Sequence, residues 1–502
     1  MRTRLSWLVP DVAMMAACVT LFYCLFLFQG YQKLFRDSDA GWHIRNGEAI
    51  LATGQLPRSD PYSFSRAGQP WFAWEWLADI AAGEADRAAG LSGVALLYGI
   101  VIAMVTWLWF RLHWVMHGDF LLACAMAPLL FTTANIHWLA RPHVFGWLFL
   151  LAAMIWVERA ALGVAASGWR AALCLAAFTA LWANVHGTFF LAPMIALLYA
   201  AGALIRRFFW NEKVNLRPFL WAAAISAAAG LANPYGWQLH EHVVRYLSDS
   251  ELLARIGEFH SFNFFAEGAT QILATVILCI GGGFLAWTRR RPEHFLLALV
   301  FGAMALRSAR ALPLAALVLL PVANASIAGA LRGSNGLAAR ARAATAAFTN
   351  YSDGLRRWDA QCRGWIFVPI LILAAFELLQ MPSIEAATGF SPAVFPVAAY
   401  SHIPPGARLY APDSYGGYLI YRSAGTRKVF FDGRSDFYGV DFMKHYAQLI
   451  QLRPGWRDWW ESFGFTHALL PADSPLVVAL GQSGWRAVYA DNTALLLSRG
   501  GT

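Results

Sequence analysis

The chain of 502 residues is strongly apolar: 58% of its residues are hydrophobic, only 14% are charged and its mean hydropathy is +0.46. Soluble globular domains carry roughly a quarter charged residues. The 23 Trp and 35 Phe exclude a disordered or fibrous chain. The formal charge of +9 does not indicate nucleic-acid binding, because Lys and Arg fall in short clusters between apolar segments. The composition predicts a polytopic α-helical membrane protein.

Residues 1–381 contain the apolar segments and form the predicted transmembrane bundle. A helix that crosses a bilayer needs about 20 mostly apolar residues. On this criterion we predict about eleven spans, and therefore termini on opposite sides of the membrane. The segments are 7–28, 91–112, 119–138, 143–162, 170–184, 188–205, 217–232, 269–288, 293–307, 311–330 and 364–381.

Basic residues are concentrated in one set of connections between these spans. The clusters are Arg2 with Arg4, 206–217, 289–291 and 332–363. Under the positive-inside rule this face, with the N-terminus, is cytoplasmic. The opposite face then carries a long first loop, 29–90, which includes an amphipathic helix expected to lie along the membrane surface.

The C-terminal segment, 382–502, changes character and is predicted to be an extracytoplasmic α/β domain. Short apolar runs alternate there with helix-like stretches, as in small mixed sheets. The predicted strands are 408–411, 428–431, 467–470, 487–490 and 494–498. The predicted helices are 440–452, 456–463 and 475–481.

An acidic pair, Asp37 and Asp39, opens the first extracytoplasmic loop. Two carboxylates at this spacing could share a divalent cation such as Mg²⁺ or Mn²⁺, or one of them could act as a general base. They could equally cap a helix that begins near Ala40. The aromatic surroundings of the pair favour a functional role.

Other polar side chains gather in the connections on the same face of the bundle. Candidate ligands for a phosphate group are Arg141, His143, Arg307 and Arg310. Candidate pocket residues are His43, Asn184, His186, Asn233, Tyr235 and Glu258. Arginines hold phosphate through charge-assisted bonds, although Arg141 could instead anchor to lipid headgroups. The segment at Asn233 is also a turn signal, and His186 could belong to a simple polar turn. Convergence of several loops at one membrane face is the main indication of a site.

Two further segments are candidates for acceptor contact: Trp74 with Glu75, and Asp432 with Arg434. Aromatic faces stack on sugars, but a Trp-rich stretch is also typical of a membrane-interface belt. The glycines of 415–418 and 431–434 predict tight turns at strand ends. Asp432 and Arg434 could therefore form a structural ion pair instead of touching an acceptor.

Three segments resemble the GT-C integral-membrane glycosyltransferases, in particular the bacterial branch related to protein mannosyltransferases and aminoarabinose transferases. The first runs from Asp37-Ser38-Asp39-Ala40-Gly41-Trp42-His43 through Gly54-Gln55-Leu56-Pro57 and Asp60-Pro61-Tyr62-Ser63-Phe64. The other two are Trp182-Ala183-Asn184-Val185-His186-Gly187 and Phe431-Asp432-Gly433-Arg434. The first loop of better-known members usually reads Asp-Glu, whereas no Glu follows Asp37. Many members also place an acid in the next outward loop, where this chain has Arg141-Pro142-His143.

The resemblance implies an inverting transfer of sugar from a polyprenyl-phosphate donor to a glycan, lipid or protein acceptor outside a bacterial inner membrane. One of Asp37 and Asp39 would deprotonate the acceptor hydroxyl. An O-antigen ligase or polymerase is the first alternative, and its site would depend on Arg and His. A transporter or assembly scaffold is the second; transport is disfavoured because the few acids inside apolar segments, such as Asp11 and Glu377, lie near segment ends.

Overall fold

The computed structural model describes residues 8–165, 168–333 and 338–500, so Arg2 and Arg4 lie outside the described residues. The N-terminal part is a helical bundle. Its helices are α1 Val12–Leu25, α2 Gly30–Lys33, α3 Asp39–Thr53, α4 Trp76–Val115, α5 Phe120–Asn135, α6 His143–Ala161, α7 Trp169–Val185, α8 Leu191–Trp210, α9 Arg217–Ala229, α10 Trp237–Ser248, α11 Ser250–Leu253, α12 Ala269–Thr288, α13 Pro292–Arg307, α14 Leu312–Arg332, α15 Ala339–Asp359 and α16 Phe367–Leu379.

Each of the eleven predicted spans coincides with a helix of this bundle. Five helical stretches in the described residues are long and apolar enough to cross a membrane: Trp76–Val115, His143–Ala161, Gly187–Trp210, Ala269–Thr288 and Ala309–Arg332. Four more are apolar but shorter: α1, α5, α7 and α16. The full count of eleven crossings therefore stays a prediction.

α4 begins well before the predicted span 91–112 because it joins two helices across a break. At the break, Ala89 and Gly90 leave helical geometry, and Gly90 has φ +58°. A positive φ is readily adopted by glycine. The segment before the break carries Asp79 on its first turns, next to Glu75.

The C-terminal part contains a small mixed sheet with helices packed around it. The elements are α17 Pro382–Glu385, β1 Leu409–Tyr410, α18 Asp413–Arg422, α19 Ser435–Ile450, α20 Trp456–Ser462, β2 His467–Pro471, α21 Pro475–Gln482, β3 Trp485–Ala490 and β4 Ala494–Arg499. The strand order is β1-β2-β4-β3, with β1 parallel to β2 and the other pairs antiparallel. The mixed α/β character predicted for this part is present.

Two local predictions in this part are wrong. Residues 428–431 do not form a sheet strand, because the backbone of Val429 pairs with the first loop: its N–H donates to Tyr62 O at 2.9 Å and its carbonyl accepts from Phe64 N at 3.0 Å. Residues 415–418 lie inside α18 and are not a turn. Their glycines let α18 pack closely against the backbone of neighbouring segments.

Helix α3, which carries the acidic pair at its start, is clamped between α4 and α18. A Cβ on Gly47 would lie 1.7 Å from the carbonyl oxygen of Asp79, and a Cβ on Gly417 would lie 2.1 Å from that of Ser38. Such close backbone approach requires glycine at both positions. The amphipathic helix predicted to lie along the membrane surface is therefore mostly buried, and its first turn is fixed between the bundle and the C-terminal part.

Candidate active site

Three carboxylates from two separate loops meet on the guanidinium of Arg141. Its Nη1 lies 2.5 Å from Asp37 Oδ2 and 3.1 Å from Glu258 Oε1, and its Nη2 lies 3.0 Å from Asp39 Oδ2. Arg141 ends the connection between α5 and α6, and Glu258 lies in a 3₁₀ turn, Gly257–Phe259. The structure thus joins Asp37, Asp39, Arg141 and Glu258, as the convergence of loops predicts.

Asp37 also organises the start of α3. Its Oδ1 accepts a hydrogen bond from the Asp39 backbone N–H at 2.9 Å. This contact lies before the helix, because the N-cap residue of α3 is Ser38, which makes no side-chain capping bond. The capping role considered for the acidic pair is therefore not formed, and the Asp37 carboxylate is held by this turn contact and by Arg141.

The electrostatic surroundings separate the carboxylates of the cluster. Burial raises the pKa of Asp39 to about 8, with a further increase from Asp37 that Arg141 only partly offsets. Burial also tends to raise the pKa of Glu258, but Arg141 and Arg310 outweigh it and lower the pKa to about 2. Asp39 is therefore largely protonated near neutral pH, whereas Glu258 is ionised.

Arg310 completes the cluster on its far side. Its Nη1 lies 3.2 Å from Glu258 Oε2. Counting Asp37 and Glu258 as anions and Arg141 and Arg310 as cations, the cluster is neutral when Asp39 holds its proton. This charge balance agrees with the raised pKa of Asp39.

A cavity of about 810 Å³ opens beside this cluster, between the bundle and the C-terminal part. The bundle contributes Arg36, Asp37, His137 and Glu258 to its wall. The C-terminal part contributes Ala393, Phe395, Tyr415, Asp473 and Thr493. Asp39 is 4% exposed and does not line the cavity, so Asp37 is the member of the acidic pair that faces it.

Arg36 was not among the residues singled out from the sequence. Its Nη2 donates to the carbonyls of Asn135 and Ile136, both at 2.8 Å, and its side chain lines the large cavity. In contrast to Arg141 and Arg310, it forms no ion pair among the described residues. Its charge lies close enough to Asp37 for the two side chains to attract each other electrostatically without forming an ion-pair contact.

A second buried cluster lies behind the first. His43 Nδ1 is 2.6 Å from Asp79 Oδ1, and Asn46 Nδ2 donates to Asp79 Oδ2 at 2.6 Å. Glu75 lies between two imidazoles, with His43 Nε2 at 3.8 Å and His186 Nε2 at 3.3 Å. Burial raises the pKa of Glu75 to about 7 and lowers that of His43 to about 3, so His43 is neutral at physiological pH. Glu75 is enclosed by these groups, away from the acceptor-side position expected for it.

His143 and His186 border a small cavity of about 30 Å³ together with Arg141, Glu258 and Arg310. The backbone carbonyl of His137 lies 2.7 Å from His143 Nε2, and His186 Nδ1 lies 2.8 Å from Thr188 Oγ1. Burial, followed by the charges of Arg310 and Arg141, lowers the pKa of His186 well below its ordinary value. These imidazoles support the cluster as neutral groups.

Asp432 and Arg434 form a buried structural network. Arg434 Nη2 lies 2.7 Å from Asp432 Oδ2 and 2.8 Å from Asp60 Oδ1 in the first loop. Asp432 is 0% and Arg434 2% exposed. Such buried side chains are not accessible to an acceptor. The geometry agrees with the structural ion pair that the sequence also allowed. The network ties the first loop to the C-terminal part.

Four other predicted residues hold loops in shape. Asn184 Oδ1 accepts from Trp76 Nε1 at 2.8 Å, and Asn233 Oδ1 accepts from the Tyr235 N–H at 2.8 Å. The Tyr235 hydroxyl accepts from the Ala73 N–H at 2.9 Å. Trp74 packs edge-on against His242 and Tyr246. These contacts match the turn interpretation of the Asn233 segment.

Arg307 is not brought into the cluster. It is the last residue of α13, its side chain is exposed and it forms no ion pair among the residues that the structure describes. Arg310 lies in the following 3₁₀ turn, Ala309–Ala311, so the two arginines are not on one helix.

The acidic pair does not fit the divalent cation considered from the sequence. Arg141 occupies the space between the oxygens that would have to coordinate the ion. In the described ranges, no group of three or more His, Cys, Asp and Glu side chains is arranged to hold a metal. Hard cations such as Mg²⁺ need several oxygen ligands around one point.

The fold is similar to that of a solved oligosaccharyltransferase. No protein-family model matches the chain, and no curated protein matches its sequence. Among solved structures, the chain is similar to the Archaeoglobus fulgidus oligosaccharyltransferase in the apo form: TM-score 0.53, 13% identity, covering 91% of this chain and 69% of that one. The same enzyme tethered through a disulfide to an acceptor peptide with the NVT sequon gives TM-score 0.52 and 12% identity, covering 97% and 74%. At this identity the similarity shows a shared fold, and it agrees with the membrane-enzyme architecture that the GT-C resemblance implies.

Proposed function

We propose that this protein is a membrane glycosyltransferase that moves a sugar from a polyprenyl-phosphate donor to an extracytoplasmic acceptor, with Asp37 as general base. One observation carries the proposal: on a GT-C fold, Asp37 faces a cavity of about 810 Å³ between the bundle and the C-terminal part. A cavity of this size accommodates a sugar with its acceptor. The setting we infer is a bacterial inner membrane, with the N-terminus cytoplasmic.

Asp37 is favoured over Asp39 as base because of access and charge. Asp37 lines the cavity, whereas Asp39 is buried and its pKa is raised to about 8. A general base must lie within hydrogen-bond reach of the proton that it removes. In this proposal Asp39 holds its proton and supports Asp37 through Arg141.

Arg36 is the residue we infer to face the phosphate of the donor. It lies in the same cavity wall as Asp37 and has no carboxylate partner among the described residues. A leaving phosphate gains negative charge as the glycosidic bond breaks, and a fixed guanidinium stabilises it. Arg141 and Arg310 are already paired with carboxylates and contribute a smaller net field.

The reaction balances without a further reactant. The acceptor oxygen bonds to the anomeric carbon while the bond from that carbon to the phosphate oxygen breaks. The bonding electron pair leaves with the phosphate, and Asp37 takes the acceptor hydroxyl proton. Attack opposite the leaving group inverts the anomeric configuration.

The test is to incubate purified protein with a panel of polyprenyl-phosphate and polyprenyl-pyrophosphate sugars plus cell-envelope acceptors, and to measure release of the lipid phosphate. We expect consumption of a monophosphate-linked sugar. Heat-denatured protein is the blank, and a Glu84→Gln variant, altered at a side chain that is 62% exposed, is the matched control. Full activity after Asp37→Asn combined with Asp39→Asn would favour a ligase or polymerase instead. Lack of consumption of every donor would favour a scaffold.

A further inference from the structure

The Arg141 guanidinium is surrounded by acidic side chains. Asp37, Asp39 and Glu258 direct one oxygen each at it, at 2.5, 3.0 and 3.1 Å. A hard divalent ion needs its oxygen ligands around one point, whereas these oxygens are spread over the two ends of the guanidinium fork. Here the positive charge belongs to the protein.

The position of Arg141 is enforced by its surroundings. Its side chain is 14% exposed, and burial alone would lower the pKa of the guanidinium, but the carboxylates of Asp37, Asp39 and Glu258 raise it well above its ordinary value. A guanidinium offers five N–H donors in a planar fork, which suits several carboxylates at once. If the guanidinium moved away from these carboxylates, buried charges would be left without a partner, which costs several kcal/mol. The ion pairs therefore hold Arg141 in place.

Arg141 occupies the position that a divalent ion would need in this cluster. The oxygens that would coordinate it are within hydrogen-bond distance of the guanidinium, and Arg310 holds the other Glu258 oxygen at 3.2 Å. Two arginines on three carboxylates leave a net charge of at most one negative unit for an incoming ion. This small net charge offers a divalent cation little attraction, the two guanidinium groups repel it, and the carboxylate oxygens are already occupied.

We propose that the Arg141 guanidinium takes the place of a divalent cation in this active site, so that sugar transfer needs no metal ion. This inference rests on the proposed function. Arg141 acts as a positioning residue: it fixes the Asp37 carboxylate at the cavity wall and balances the charge of the cluster. The metal-binding experiment below uses no substrate, so its outcome is separate from that of the donor assay.

The experiment is a titration of the full-length protein in detergent with Mn²⁺, followed by the electron paramagnetic resonance signal of the free ion. We expect the wild type to leave the signal unchanged. Arg141→Ala frees three carboxylates around a vacated position, and we expect it to bind one equivalent of Mn²⁺. That equivalent should be lost when Glu258→Gln is added. Arg87→Ala, altered at an arginine that is 55% exposed, should behave as wild type.

Two results would overturn the proposal. One is stoichiometric Mn²⁺ binding by the wild type that Asp39→Asn or Glu258→Gln abolishes. This measurement does not use the Arg141→Ala variant, so it remains decisive if that variant does not fold. The other is a folded Arg141→Ala variant, judged by its thermal unfolding, that binds no Mn²⁺. Where the donor assay gives turnover, rates with EDTA and with Mg²⁺ should agree within about twofold, because no metal contributes to the transition state.

Discussion

Gly433 lies directly against the carboxylate of Asp39: a Cβ at this position would come within 2.0 Å of Oδ1 and 2.8 Å of Oδ2. The glycine belongs to the C-terminal part, and the aspartate to the first turn of α3. The missing side chain of Gly433 therefore lets the C-terminal part close over the acidic pair. This contact links the Asp432-Gly433-Arg434 segment to the candidate site.

We predict that Gly433→Ala lowers sugar transfer by roughly 100-fold, since displacement of a catalytic constellation by about 1 Å costs about that much. The added methyl must push the Asp39 carboxylate, and with it Arg141 and Asp37. The matched control is Gly481→Ala, because nothing lies within 4 Å of a Cβ at that position. Initial rates of lipid-phosphate release measure both variants. Equal activity of the two would contradict the role given to the contact.

The pH dependence of stability tests the state of Asp39. Its pKa of about 8 lies above the ordinary value of about 4 for an unfolded aspartate. Between these values the folded state holds a proton that the unfolded chain has lost, so this group makes stability fall as the pH rises. Asp39→Asn removes this pH-dependent contribution to stability. The thermal unfolding midpoint of the variant in detergent should therefore fall less than that of the wild type from about pH 5 to about pH 8. Asp441→Asn, at a side chain that is 82% exposed, should keep the wild-type slope. Identical slopes for all three proteins would refute a raised pKa at Asp39.

The buried network at Arg434 makes a prediction about stability. Arg434→Gln leaves Asp60 and Asp432, whose side chains are fully buried, without their cation. Breaking a buried ion pair in this way costs about 3–5 kcal/mol. Chemical or thermal unfolding should show this loss, while Arg87→Gln at the surface should change stability by less than about 1 kcal/mol. A loss at Arg434 no larger than that at Arg87 would show that the network does not hold the first loop.

Much of the architecture follows from the sequence, because apolar helices are signalled by length and hydropathy. All eleven predicted segments are helical, and the acidic pair, Arg141 and Glu258 meet as the loop pattern predicts. That Arg141 pairs with all three of these carboxylates could not be predicted, since the pairing depends on how distant loops pack. The same holds for Gly433, whose role depends on a contact with a residue almost 400 positions away.

Two residues that were not singled out from the sequence, Asn46 and Asp79, did leave a signal beside the candidates His43 and Glu75. His43 with Asn46 and Glu75 with Asp79 have the three- and four-residue spacings that place side chains on one helix face. Their two helices then bring the faces together, with Asp79 receiving both His43 and Asn46. Arg36 left no such signal, because a single arginine at a span end is typical of many membrane proteins.

The cavity gives a prediction about acceptor binding. Ala393 is exposed on the wall contributed by the C-terminal part. Ala393→Trp should fill acceptor space and raise the acceptor KM by about tenfold or more with a smaller change in kcat, because it removes binding without touching the base. Val488→Trp, at a β3 side chain that is 56% exposed, is the control. An unchanged acceptor KM for the Ala393→Trp variant would show that the acceptor binds elsewhere.

The most direct test of the account is the single-turnover rate of sugar transfer by Asp37→Asn compared with Asp39→Asn and Asp441→Asn. We predict that Asp37→Asn loses at least about 100-fold, within the usual contribution of a general base. Asp39→Asn, which imitates the protonated carboxyl, should lose much less, and Asp441→Asn should transfer sugar at the wild-type rate. Transfer by Asp37→Asn at the wild-type rate would contradict the assignment of Asp37 as the base.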